Sequence, residues 1–240
     1  MAWASLIYAS LGSSWADGLD HHSLLGEHEQ PLLVSLALFV PAWLAMMAAM
    51  MLPTSLPIFA GYAKLTQGHR LLDVLPLTWL LAGGYLLAWT VFGLTAFTAD
   101  LWLHYIVERV AVLEENSTFI AATILLMAGV YQFTPLKKAC LSQCRSPLSF
   151  LINNWREGGL GALQLGARHG AFCVGCCWAL MLLMFAVGVA NLFWMAALAL
   201  VMFAEKVTRW VGPIGTATGA ILIALGLIGL LRPEALGPLF

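Results

Sequence analysis

The chain has 240 residues, of which 61% are hydrophobic and only 10% are charged, and its formal net charge is −1. This composition excludes an ordinary soluble domain, and a nearly neutral chain gives no reason to expect a nucleic-acid partner. The sequence therefore predicts an all-α fold, a polytopic transmembrane helix bundle.

Six apolar stretches are long enough to cross a bilayer, because about 20 apolar residues span it as a helix. In chain order they cover residues 31–52, 72–99, 117–135, 167–188, 190–206 and 213–231. The fifth has the shortest clean core, since Asn191 lies at one end and Glu205 and Lys206 at the other. We expect residues 31–240 to form a single transmembrane domain with about six membrane helices.

The first 30 residues differ from the rest of the chain. Residues 1–16 are apolar but too short to span a membrane, and no basic residue precedes them as in a signal peptide. We expect residues 1–30 to form an external segment that either lies in the membrane interface or is the remainder of a truncated helix.

The positions of lysine and arginine predict the orientation, since cytoplasmic loops carry an excess of both. Nine of the eleven basic residues lie in the loops after the first, third and fifth stretches or at the ends of the stretches that border these loops. The sequence thus predicts that both termini lie outside the cytoplasm and that the cysteine-containing loop 136–160 lies inside it.

The fourth stretch begins with one histidine and three thiols, at His169, Cys173, Cys176 and Cys177. Spacings of three and four residues place them on one side of a helix. Thiolate and imidazole are donors that select Cu(I), Zn(II) or iron over Mg²⁺ and Ca²⁺. We therefore expect a metal site near the cytoplasmic end of this helix.

Cys140 and Cys144 add two thiols in the preceding basic loop. They are four residues apart and share a face if the chain is helical after Pro135. Together with the first group they either complete one tetrahedral site or form a second site. Nearby basic residues favour the thiolate form, which binds metal.

Four methionines lie in the last two turns of the first stretch, at Met46, Met47, Met50 and Met51. The predicted topology places them at the same depth as the thiols. Methionine is an ordinary gap-filler in apolar packing, but thioethers also suit Cu(I). Methionines combined with thiols favour Cu(I) over Zn(II) or iron.

Two further groups are secondary candidates. The external residues His21, His22 and His28 stand among acidic side chains, where they either collect divalent ions or form a solvated tail. Glu205 is ionisable at the depth of a helix, which makes it a functional candidate. Its alternative role is an ion pair with Lys206 at the end of the helix.

Four sequence blocks carry a resemblance to a known family: Trp43–Pro53, Tyr131–Pro147, His169–Met181 and Asn191–Lys206. Over about residues 40–210 the chain resembles a bacterial family described as predicted metal-binding integral membrane proteins. The resemblance implies that the methionine, cysteine and histidine blocks belong together and that the protein lies in the bacterial inner membrane.

The leading hypothesis is a Cu(I) site that holds, delivers or transports the ion at the cytoplasmic face of the inner membrane. Its partners would be the metal ion, the lipid bilayer, and another membrane protein or a cuproenzyme under assembly. The sequence contains no nucleotide-binding loop and no set of catalytic residues, so an enzyme is not expected.

Three alternatives stay open. In a thiol-disulfide redox protein, Cys176 and Cys177, or Cys140 and Cys144, would exchange electrons, although the predicted location is on the reducing side. The Cα atoms of the adjacent residues Cys176 and Cys177 are also only about 3.8 Å apart, below the usual Cα–Cα distance of a disulfide, so a disulfide between them would be strained. The others are a haem protein and a structural subunit of a membrane complex in which the cysteines only pack.

Overall fold

The computed structural model describes residues 32–66, 71–107, 109, 117–187, 192–208, 211–232 and 234. Within these residues the chain forms eight α-helices and no strand. In chain order they are α1 (Leu32–Leu65), α2 (Leu71–Val107), α3 (Ser117–Tyr131), α4 (Pro135–Arg145), α5 (Pro147–Asn154), α6 (Gly158–Val187), α7 (Leu192–Val207) and α8 (Val211–Leu231). The predicted all-α helical bundle is confirmed.

Four segments of these helices are long and apolar enough to cross a membrane. They are Leu33–Leu65, Leu75–Val107, Gly158–Met184 and Gly212–Leu231. Helices α3 and α4 meet the same test only as a pair, with a bend of 66° between them. Helix α7 has 16 residues, fewer than the roughly 20 that a straight span requires. The count of six membrane helices therefore stays a prediction.

The bend between α3 and α4 has a local cause in the sequence. Thr134 caps α4 by accepting a hydrogen bond at its Oγ1 from the backbone N–H of Lys137, and Pro135 occupies the first turn. Proline suits the start of a helix because its missing N–H would be unpaired there anyway. Much of the predicted loop 136–160 is consequently helical, and α4 carries both of its cysteines.

Helix α6 lies at the centre of the described bundle and makes its most extensive contact with α2. Two glycines permit this close approach. A Cβ at Gly84 would strike the backbone of Leu163, and a Cβ at Gly166 would strike the backbone of Leu81. Small residues at such crossings let helix backbones pack directly against each other.

The close approach predicts different effects for two neighbouring glycines of α2. Gly84→Ala should destabilise the protein by about 1–3 kcal/mol, because the new methyl group overlaps a backbone carbonyl. At Gly83 a Cβ would meet nothing within 4 Å, so Gly83→Ala should be neutral or stabilising by up to about 1 kcal/mol. Unfolding in detergent compares the two variants, and equal effects would contradict this packing.

Candidate metal centre

Three thiols converge where α4 packs against α6. The Sγ atoms of Cys144, Cys173 and Cys176 all lie within 4.8 Å of one another, and those of Cys144 and Cys176 are 4.0 Å apart. Cys173 and Cys176 are buried, whereas Cys144 is partly exposed. We call this group the thiol triad. It contains two sulfurs from one helix and a third sulfur from a separate helix.

A buried lysine contacts one edge of the thiol triad. The Nζ atom of Lys206 lies 3.0 Å from Cys173 Sγ, 3.3 Å from Thr54 Oγ1 and 3.5 Å from Met51 Sδ. Only 8% of Lys206 is exposed. An ammonium group in an apolar interior is unfavourable unless it has polar or anionic partners. A thiolate at Cys173 would provide the compensating charge.

Two hydroxyl groups connect His169 to the thiol triad. Cys173 Sγ lies 3.2 Å from the hydroxyl of Tyr85, which accepts a 3.2 Å hydrogen bond from Ser55 Oγ. Ser55 Oγ lies 3.4 Å from His169 Nε2. His169 Nδ1 is buried and has no hydrogen-bond partner among the described residues. The histidine therefore neighbours the triad indirectly, although the sequence predicted it as a ligand beside Cys173.

The remaining two cysteines lie outside the triad. Cys177 donates its S–H to the backbone carbonyl of Cys173 at 2.8 Å, a contact within α6. Cys140 lies against Gly175, where a Cβ would be 2.7 Å from its sulfur. The carbonyl of the same glycine accepts a hydrogen bond from Tyr131. Among the described residues, three of the five predicted thiols thus converge within 4.8 Å of one another.

All four predicted methionines of α1 are buried in the same apolar core as the cysteines: Met46, Met47, Met50 and Met51. Met51 is the one with a described contact to Lys206, beside the triad. A relay through the other three stays a prediction.

Glu205 pairs with a different lysine from the one next to it in the sequence. Its Oε2 atom is 2.7 Å from Nζ of Lys137, and both side chains are buried. Lys137 also donates to Gln132, and Arg145 donates to the backbone carbonyl of Glu205 at 3.1 Å. Residue 205 therefore contacts α4 near both ends of the helix that carries Cys144.

Sequence reasoning treated Lys137 as an ordinary loop base and did not single out Tyr85. The signal for Lys206 was present, because ionisable residues at helix depth are functional candidates. The secondary candidates His21, His22 and His28 lie outside the described residues.

The family comparison agrees with this sulfur chemistry. Residues 40–229 match the profile of the PpoB2 family, described as copper chaperones. The chain belongs to this copper chaperone family. No curated protein and no solved structure gives a significant match. Family membership confirms the metal-related family that the sequence predicted, and together with the thiol triad it supports copper handling.

The contacts of residue 205 predict how Cys144 responds to a distant change. Glu205→Gln leaves the buried ammonium of Lys137 without its counter-charge, and breaking a buried pair costs about 3–5 kcal/mol. Helix α4 should then detach more often, so Cys144 should react with a maleimide roughly tenfold faster or more.

Peptide mass spectrometry after timed labelling measures this rate and distinguishes Cys144 from Cys140. The exposed Glu157→Gln is the matched control, because it removes the same charge outside the site. An unchanged Cys144 rate in Glu205→Gln would show that the ion pair does not position α4.

Proposed function

We propose that this protein is a membrane-embedded copper chaperone that holds Cu(I) with Cys144, Cys173 and Cys176 and passes it to a partner protein. The observation that carries the proposal is the convergence of three Sγ atoms within 4.8 Å of one another. Soft thiolate ligands select Cu(I), and the family is one of copper chaperones.

The groups around the triad favour Cu(I) over Zn(II). A zinc site would be four-coordinate and would need a fourth thiolate, imidazole or carboxylate beside the triad. Among the described residues, three candidate groups have other partners: Cys177 donates to the carbonyl of Cys173, His169 lies against Ser55, and Glu205 pairs with Lys137. The additional soft donor near the triad is the thioether of Met51, which suits Cu(I).

Burial suggests an order for loading and release. Cys144 is the partly exposed member of the triad, whereas Cys173 and Cys176 are buried. An incoming sulfur ligand would meet Cys144 first and exchange with it, without a change in the oxidation state of copper. Met51, followed by Met50, Met47 and Met46 along α1, would extend the sulfur ligands into the bundle.

We place the protein in the bacterial inner membrane, with both termini outside the cytoplasm and the triad near the cytoplasmic side. The apolar helices and the basic segments between them support this location. A partner within the membrane, such as a cuproenzyme under assembly, would receive the ion. The absence of a nucleotide-binding loop in the sequence favours delivery over powered transport.

Single serine variants of the five cysteines test the site. The protein is purified in detergent without oxygen, the metals it carries are measured by mass spectrometry, and its Cu(I) affinity is then measured by competition with a Cu(I) chelator. Cys144→Ser, Cys173→Ser and Cys176→Ser should each lower Cu(I) affinity by about tenfold or more, since each removes a soft ligand. Cys140→Ser and Cys177→Ser are the matched controls and should retain wild-type affinity.

Other outcomes would overturn parts of the proposal. Equal losses in all five variants would refute the triad as the specific ligand set. Zinc or iron in place of copper in the wild type would support the metal site but contradict Cu(I) as its ion. No metal in the wild type would reject the proposal and favour thiol-disulfide exchange or packing as the role of the cysteines.

A further inference from the structure

Lys206 brings a positive charge to the place where a cation is proposed to bind. Its ammonium group touches a thiol, a thioether and a hydroxyl that come from two other helices, α6 and α1. Repulsion between this charge and a bound cation is unavoidable as long as Cys173 is a ligand. The presence of this charge at a copper site therefore needs a functional explanation.

We propose that Lys206 is a specificity-determining residue, whose buried charge lets monovalent Cu(I) bind and selects against divalent ions. The inference rests on the proposed function, since it assumes that Cys173 binds the ion. It assigns to Lys206 a role beyond structural support of the bundle.

The charge of Lys206 is not neutralised by a carboxylate among the described residues. The neighbouring acid, Glu205, is directed to Lys137 at 2.7 Å. Before a metal ion binds, a thiolate at Cys173 is the group that would balance the ammonium. When a cation binds to that thiolate, the ammonium loses part of this compensation and repels the cation.

The distances make the repulsion strong. A metal bound at about 2.3 Å from Cys173 Sγ, which itself lies 3.0 Å from Nζ, can be no farther than about 5.3 Å from the ammonium. Buried charges at this separation are poorly screened by salt. The Coulomb energy is proportional to the product of the charges, so a divalent ion is repelled twice as strongly as Cu(I).

The ratio of two affinities isolates this effect from other consequences of a substitution. Replacing Cu(I) by a divalent ion on the same thiolates adds one positive charge beside the ammonium, so the charge of Lys206 lowers the divalent affinity relative to that for Cu(I). A general loosening of the site would instead change both affinities by similar factors. The Zn(II)-to-Cu(I) affinity ratio is therefore the quantity to measure.

Lys206→Gln removes the charge and keeps a hydrogen-bond donor that can face Cys173. Competition with a Cu(I) chelator and with a zinc-binding dye gives the two affinities of the detergent-purified protein without oxygen. We expect the Zn(II)-to-Cu(I) ratio to rise about tenfold or more. Lys206→Met is a second neutral variant, and its ratio should also rise even though a thioether favours copper.

Two control variants retain a positive charge at position 206, and both should leave the Zn(II)-to-Cu(I) affinity ratio within about twofold of wild type. Lys206→Arg preserves the charge at the same position. Lys138→Gln removes a charge from the exposed side of α4, away from the triad. An equal rise in Lys206→Arg, or an unchanged ratio in both neutral variants, would overturn the selectivity role. A wild type whose Cu(I) affinity does not depend on Cys173 would instead overturn the proposed function.

Discussion

Two buried lysines impose the main constraint on this protein. Lys137 and Lys206 are almost fully enclosed in an apolar interior, and each must have a compensating partner. Lys137 is paired with Glu205, while Lys206 lies against Cys173. Buried ion pairs add little net stability compared with apolar packing, but removing one partner is very unfavourable. These contacts therefore specify which helices meet.

Adjacent positions on one helix provide both connections. Glu205 and Lys206 are separated by about 100° around α7, so they face different neighbours. Glu205 faces α4, and Lys206 faces the site shared by α1 and α6. A short helix thus links the helix that supplies Cys144 to the helix that supplies the other two sulfurs. The bend between α3 and α4 turns α4 toward α6, so that the Cys144 sulfur meets the two sulfurs of α6.

The sequence was sufficient for the helical class and for part of the site. Spacing correctly placed Cys173 and Cys176 together, but it could not choose between Cys176 and Cys177. Relative to Cys173, these two point about 60° to one side and about 40° to the other, so only the position of a neighbouring helix decides between them. Helix α4 packs on the Cys176 side. The pairing of Lys137 with Glu205 was equally hidden, because it joins residues 68 positions apart.

A chaperone must release its ion as well as bind it, and the arrangement around Lys206 bears on both. Under the proposed function, the ammonium favours the thiolate form of Cys173 and repels a bound ion, and it repels a divalent ion twice as strongly as Cu(I). Cys144 is the partly exposed member of the triad and the one carried by α4, so it is the ligand that a partner's sulfur would replace first. Once Cys144 has been displaced, two buried thiols remain beside a fixed positive charge. The ion is then held by two protein ligands in place of three, and this loss of a ligand favours its transfer to the partner.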